Sequence, residues 1–107
     1  MAKSEKQPEI SDWRSRIDEL DLDLVRMLNE RARCAIEIGR IKRKRKMAIY
    51  DPRREEEIIR MVVEHNPGPL DSEGIRRLFE RIIDESRRIE RVTADSTTKT
   101  QRHQDSE

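Results

Sequence analysis

Between residues 10 and 41 the apolar side chains fall at alternating steps of three and four: Ile10, Trp13, Ile17, Leu20, Leu24, Met27, Cys34, Ile38 and Ile41. Steps of that size return each side chain to one side of an α-helix, so the spacing predicts a long helix with one narrow buried stripe. One position breaks the rule. The stripe calls for an apolar residue at 31, and the chain has Arg31. A guanidinium on a buried line must meet an anion or suffer desolvation, so the line holds either a buried ion pair or a ligand site.

Two shorter helical patterns follow. Asp51-Pro52 is a helix start, because aspartate caps and proline is preset for the first helical position. Ile58, Ile59, Val62 and Val63 give this second helix one apolar face, and Asn66-Pro67-Gly68-Pro69 ends it. Asp71 or Ser72 caps a third helix whose stripe reads Ile75, Leu78, Phe79, Ile82, Ile83 and Ile89, with Ser86 where an apolar residue was due. Glu90 stacks one turn above Ser86. No alternating strand pattern of useful length occurs, so the expected fold class is all-α, with three helices per chain. Residues 1–9 are polar and expected to be flexible, with Ser11 or Asp12 capping the first helix. Residues 10–92 form the expected domain, and 93–107 are expected to be a disordered polar tail.

Composition sharpens the picture. Of 107 residues only 33% are apolar and 44% are charged, which leaves little for a monomeric core. A helix of about thirty residues also needs something long to lie against, so a homodimer is expected. The net charge of +1 gives no overall field toward nucleic acid or membrane. Six of the seven residues at 40–46 are basic, but no aromatic residue interleaves them, and a solvated helix end explains them without a nucleic acid. No apolar run is long enough to span a membrane or to serve as a signal peptide. Cys34, the one cysteine, rules out an internal disulfide and reads as a small buried group in a reducing, cytoplasmic setting.

Lys42 lies eleven residues past Arg31, about three turns and nearly the same azimuth, with backbones roughly 16 Å apart. Two long side chains can close that gap around a small anion. Arg14 lies 28 residues before Lys42, about 42 Å along one straight helix, and reaches the same ligand only from another copy of the chain. The informative polar set is therefore Arg31, Lys42, Ser86 and Glu90, with Asp51 and Glu55 at the start of the second helix. Each has a plain alternative: Arg31 pairs with Glu30 or Glu37, Ser86 bonds back to its own helix, and Lys42 and Glu90 face water. Together, two cations and a hydroxyl on packed faces suit a carboxylate-bearing small molecule. Metal-ligand clusters, nucleophile motifs and glycine-rich phosphate loops are absent, so an enzyme of this kind works by positioning and electrostatics.

Several blocks, in order, resemble the all-helical class of chorismate mutases, in the form found fused to prephenate dehydratase. They are Arg14-Ser-Arg-Ile-Asp-Glu-Leu-Asp21, Leu28-Asn-Glu-Arg-Ala32, Glu37-Ile-Gly-Arg-Ile-Lys42, Ile49-Tyr-Asp-Pro-Arg-Arg-Glu55, Asn66-Pro-Gly-Pro-Leu70 and Leu78-Phe-Glu-Arg-Ile-Ile-Asp-Glu-Ser86. The likeness runs over residues 13–91. It implies an intertwined homodimer with two active sites that convert chorismate to prephenate without a cofactor, in aromatic amino-acid biosynthesis. It also implies that Arg31 binds one substrate carboxylate and the partner's Arg14 the other. Lys42 then donates to the ether oxygen, Asp51 and Glu55 contact the ring hydroxyl region, Ser86 assists at a carboxylate, and Arg54 shapes the pocket.

One residue departs from the best-known pattern. Where a glutamine commonly stands beside the ether oxygen, this chain has Glu90, as some other members of the class do. A carboxyl must be protonated to donate a hydrogen bond, so the resemblance implies turnover that falls as Glu90 deprotonates. Two alternatives share the pattern: an isochorismate pyruvate lyase-like enzyme using the same kind of pocket, and an inactive regulatory helical dimer. The Asn-Pro-Gly-Pro block favours the mutase over the first, and intact Arg14, Arg31 and Lys42 favour it over the second.

Overall fold

A computed structural model gives the chain as three helices, α1 (Ile10–Lys44), α2 (Pro52–Glu64) and α3 (Ser72–Ser106). It describes the backbone of residues 7–106 and the side chains of residues 7–93. Among the described residues there are no strands, as the spacing predicts. The chain divides into two units, Met1–Arg31 and Ala32–Glu107.

The first unit holds the opening turns of α1. Glu9 stands just outside the helix, with its carbonyl accepting from the N–H groups of Asp12 at 3.0 Å and Trp13 at 3.3 Å. Its own N–H donates to Asp12 Oδ2 at 2.8 Å. Asp12 is therefore the reciprocal half of a capping box, and the helix starts ahead of the Ser11 or Asp12 cap that the spacing suggests. Most of the expected flexible N-terminus, residues 1–6, lies outside the described residues. Ile10, Trp13, Ile17, Leu20, Leu24 and Met27, the whole stripe in this unit, are exposed, Trp13 at 61%.

In the second unit α1 closes with a six-residue cap. Met47 N–H donates to Lys42 O at 2.7 Å and Lys46 N–H to Arg43 O at 3.2 Å, while Lys46 takes φ 56°. This is the Schellman arrangement, whose left-handed residue is ordinarily glycine. A side chain there costs about 1–2 kcal/mol, partly offset by the freedom glycine loses on folding. Lys46→Gly should therefore raise the unfolding free energy by about 0.5–1 kcal/mol, read from denaturant midpoints, and an unchanged or lower midpoint would contradict it.

The caps of the other helices follow the sequence. Asp51 Oδ1 accepts from Arg54 N–H at 3.2 Å, with Pro52 at the first helical position. Asp71 Oδ1 accepts from Gly74 N–H at 2.7 Å at the head of α3. Between α2 and α3, Asn66 folds the turn on itself: its Oδ1 accepts from Gly68 N–H at 3.1 Å and its Nδ2 donates to Leu70 O at 2.6 Å. Gly68 takes φ 78°, which favours glycine. The backbone of α3 continues as helix through 93–106, where the end of the apolar stripe at Val92 predicts a loss of structure. No proline or glycine interrupts that stretch.

The core of the second unit is small. Ala35, Ile59 and Ile83, one from each helix, are the buried apolar residues among the described residues. Cys34, Ile38 and Ile41, the stripe positions of α1 in this unit, are exposed in the single chain. What α1 buries is Ala35 and Gly39, the next position along in each case and about 100° around the helix. A methyl group built on Gly39 would lie 3.3 Å from Cβ and Cγ of Glu90, so the missing side chain is what lets α3 come this close to α1. Leu78, expected on the stripe of α3, is also exposed.

Candidate active site

Lys42 sits in the last turn of α1, and its neighbours explain how it is held. Its Nζ donates to Ile49 O at 3.0 Å, so the ammonium is half-buried and tied to the segment that leads into α2. The carbonyl of Lys42 is itself engaged by Met47 N–H at 2.7 Å, so both ends of the residue are fixed by one loop. Three residues back, one turn along the same helix, Gly39 carries Glu90 of α3 against it. Glu90 is half-buried, and its Oε2 is fully enclosed. Ser86, one turn before Glu90 on α3, donates from Oγ to Ile82 O at 2.9 Å. This is the back-bond to its own helix.

Asp51 and Glu55, expected together at the start of α2, have separate tasks. Asp51 is exposed and caps the helix, with the backbone of Arg54 as donor; Arg54 is exposed as well. Glu55 is half-buried and bound across to α3: Arg87 Nε donates to its Oε2 at 3.0 Å and Arg87 Nη2 to its Oε1 at 2.8 Å. The Arg87 guanidinium also lies over the ring of Tyr50, 4.9 Å from the centroid, and touches Asp84 Oδ1 at 3.3 Å. Its pKa is raised above the ordinary arginine value, first by the hydrogen bond to Glu55, against the opposing effect of burial. Glu55 and Tyr50 line a groove between α2 and α3 with Ile59 and Ile83 among its walls.

The second unit thus joins α1 to α3 at Gly39 and Glu90, α1 to the head of α2 through Lys42, and α2 to α3 through Glu55 and Arg87. Arg14 and Arg31 belong to the first unit, where Arg14 is exposed and Arg31 half-buried. Arg87 and Tyr50 had no signal in the spacing, because a charged residue beside Ser86 and an aromatic beside Asp51 read as surface until packing brings the helices together. Among the described residues no group of three or more His, Cys, Asp or Glu side chains is placed to hold a metal ion, and no helix is long and apolar enough to cross a membrane.

A half-buried ammonium, a carboxyl packed against a glycine and a crossing carboxylate–guanidinium pair, all on three strand-free helices, define a small helical protein with polar groups turned toward its packed faces. The chain belongs to the chorismate mutase type II family, whose profile matches residues 13–91. It is 40% identical over 78 residues to the bifunctional chorismate mutase/prephenate dehydratase of Neisseria gonorrhoeae, covering 73% of this chain and 21% of that protein. The protein of the same description from Pseudomonas aeruginosa is 37% identical over 82 residues, covering 72% of this chain and 22% of the other. The chain therefore spans about a fifth of the length of these relatives. Among solved structures, chorismate mutase from Thermus thermophilus in its form II superposes with a TM-score of 0.75 at 38% identity, covering 77% of this chain and 93% of that one. Form I gives a TM-score of 0.71 at 39% identity, covering 72% of this chain and 96% of that one.

Proposed function

We propose that the chain rearranges chorismate to prephenate, as a homodimer in which each site takes Arg14 from the partner chain. One carbon–oxygen bond breaks and one carbon–carbon bond forms within a single molecule, so the atoms balance without a cofactor. The work left to the protein is to hold a flexible dianion in a compact chair and to meet the charge that develops on the ether oxygen. Arg31 and the partner's Arg14 take the two carboxylates, Ser86 assists at one of them, Lys42 donates to the ether oxygen, and Asp51 and Glu55 receive the ring hydroxyl region. Arg54 shapes the rim. The reaction belongs to the phenylalanine and tyrosine branch of aromatic amino-acid biosynthesis, in the cytoplasm.

The observation that carries this reading is the Lys42 ammonium, half-buried and held by Ile49 O one turn from the Gly39–Glu90 contact. An ammonium fixed before the ligand arrives favours the transition state over the ground state, because the oxygen it meets becomes more negative as the bond breaks. Loss of chorismate with matching gain of prephenate, measured on the purified full chain, tests the activity; no turnover from a folded protein sinks it.

The shared site has its own test. Arg14→Ala and Arg31→Ala should each be nearly inactive alone. Mixed in equal amounts and allowed to exchange, random pairing gives heterodimers with one intact site, so roughly a quarter of the sites should recover. No recovery on mixing would place Arg14 and Arg31 in the same chain's site. For Glu90, turnover should fall with rising pH as the carboxylate forms, since only the protonated group donates, and Glu90→Gln should flatten that limb. Superimposable pH profiles for the two proteins would remove Glu90 from the ether oxygen.

A further inference from the structure

We infer that Arg87 is a positioning residue for substrate, acting through Glu55: it fixes the carboxylate that receives the ring hydroxyl and offsets part of its charge against the incoming dianion. The inference rests on the proposed placing of Glu55 beside that hydroxyl. The geometry is side-on and two-pronged, Nε to Oε2 at 3.0 Å and Nη2 to Oε1 at 2.8 Å. Such a pair sets the plane of the carboxylate as well as its place. Arg87 is in turn held by the Tyr50 ring at 4.9 Å and by Asp84 at 3.3 Å, so the clamp has support on more than one side.

The pair also differs in kind from its neighbours. Arg16–Glu19, Arg40–Glu37, Arg76–Glu73 and Arg81–Glu85 each run one turn along a single helix, and their side chains are 44–76% exposed. Arg87 and Glu55 join two helices, and their side chains are 27% and 25% exposed. Shielding of that degree makes the pairing of charges matter more than on an open surface.

The chemistry gives Glu55 a reason to be clamped. A carboxylate has about four acceptor positions, and the guanidinium takes one on each oxygen, so each keeps a lone pair for a hydroxyl. A bare carboxylate would accept the same hydrogen bond while repelling a doubly negative ligand. With Arg87 bound, the repulsion from Glu55 is reduced, though the guanidinium is shared with Asp84, and the acceptor remains. The ring hydroxyl is not a reacting atom, so its contact holds ground and transition states alike, and its loss should appear in KM more than in kcat.

The test is steady-state chorismate kinetics on Arg87→Met, Arg87→Lys, Glu55→Gln and the Arg87→Met/Glu55→Gln double variant, each checked for helix content and dimer mass. Arg87→Met should raise KM about tenfold with a smaller change in kcat, and Arg87→Lys, which keeps the charge but not the fork, should fall between it and the parent chain. The double variant should have the KM of Glu55→Gln alone. If the two substitutions multiply instead, Arg87 acts independently of Glu55 and the inference fails while the site reading stands. Glutamine still offers an acceptor oxygen, so the site reading is tested by Glu55→Ala: if that variant leaves KM unchanged, Glu55 is not at the hydroxyl, and the site reading falls with the inference. A purely structural Arg87 would lower the melting temperature and the active fraction and leave KM where it was.

Discussion

Lys42→Ala should lower kcat for chorismate by about a hundred- to a thousandfold, the cost of removing one preplaced donor from a developing negative charge, about 2.7–4 kcal/mol. The same change deletes the hydrogen bond from Nζ to Ile49 O, which holds the loop before α2. That loss is worth about 1 kcal/mol and should lower the melting point slightly without unfolding the chain. The two effects separate in Lys42→Gln, whose amide keeps a donor and surrenders the charge: stability should return toward the parent while turnover remains low. A kcat within tenfold of the parent, in a folded Lys42→Ala protein, would remove the ammonium from the chemistry.

The second large effect should come from the middle of α1, on its apolar stripe. Leu24 is 50% exposed in the single chain, so Leu24→Glu meets no clash there. In a two-fold dimer each copy would carry a carboxylate into the apolar contact, and the cost of several kcal/mol is incurred twice. The chain has little to fall back on, since its enclosed apolar core among the described residues is Ala35, Ile59 and Ile83. Leu24→Glu should therefore reduce the dimer mass to that of one chain, lose helix content at micromolar concentration and abolish turnover. Leu22 provides the control. It is more exposed, at 66%, and stands off the three-and-four stepping, so Leu22→Glu should leave mass and activity close to the parent. Equal damage from both substitutions would mean that the stripe does not define the contact.

Helix starts were the most legible part of the fold, because Asp51 with Pro52, and Asp71, carry their own local chemistry. The face that α1 turns to α3 was illegible for an equally local reason. It consists of Ala35 and Gly39, which add almost nothing to an apolar pattern and serve by letting backbones approach. Cys34 and Ile38 of the stripe lie one position away and are exposed in the single chain. The end of α3 was illegible because residues 93–106 hold neither an apolar repeat nor a helix breaker, and the pattern alone supplies no stop.

The site followed the same division. Lys42 and Ser86 stood out as polar residues on helical faces, and Arg31 as the one break in a stripe. The plain reading of Ser86 is the contact the structure shows, its bond to Ile82 O. Arg87 could not be found from spacing, since its partner Glu55 is 32 positions away and only the packing of α2 on α3 joins them.

The tether between Lys42 and Ile49 bears on when its disorder is given up. A free lysine side chain carries about 2 kcal/mol of rotational freedom, which a ligand would have to quench on each encounter. Here the chain quenches much of it once, as it folds, and the ammonium keeps two of its three hydrogens for a visitor. If Lys42 acts as proposed, each cycle would begin with a side chain whose freedom is already spent.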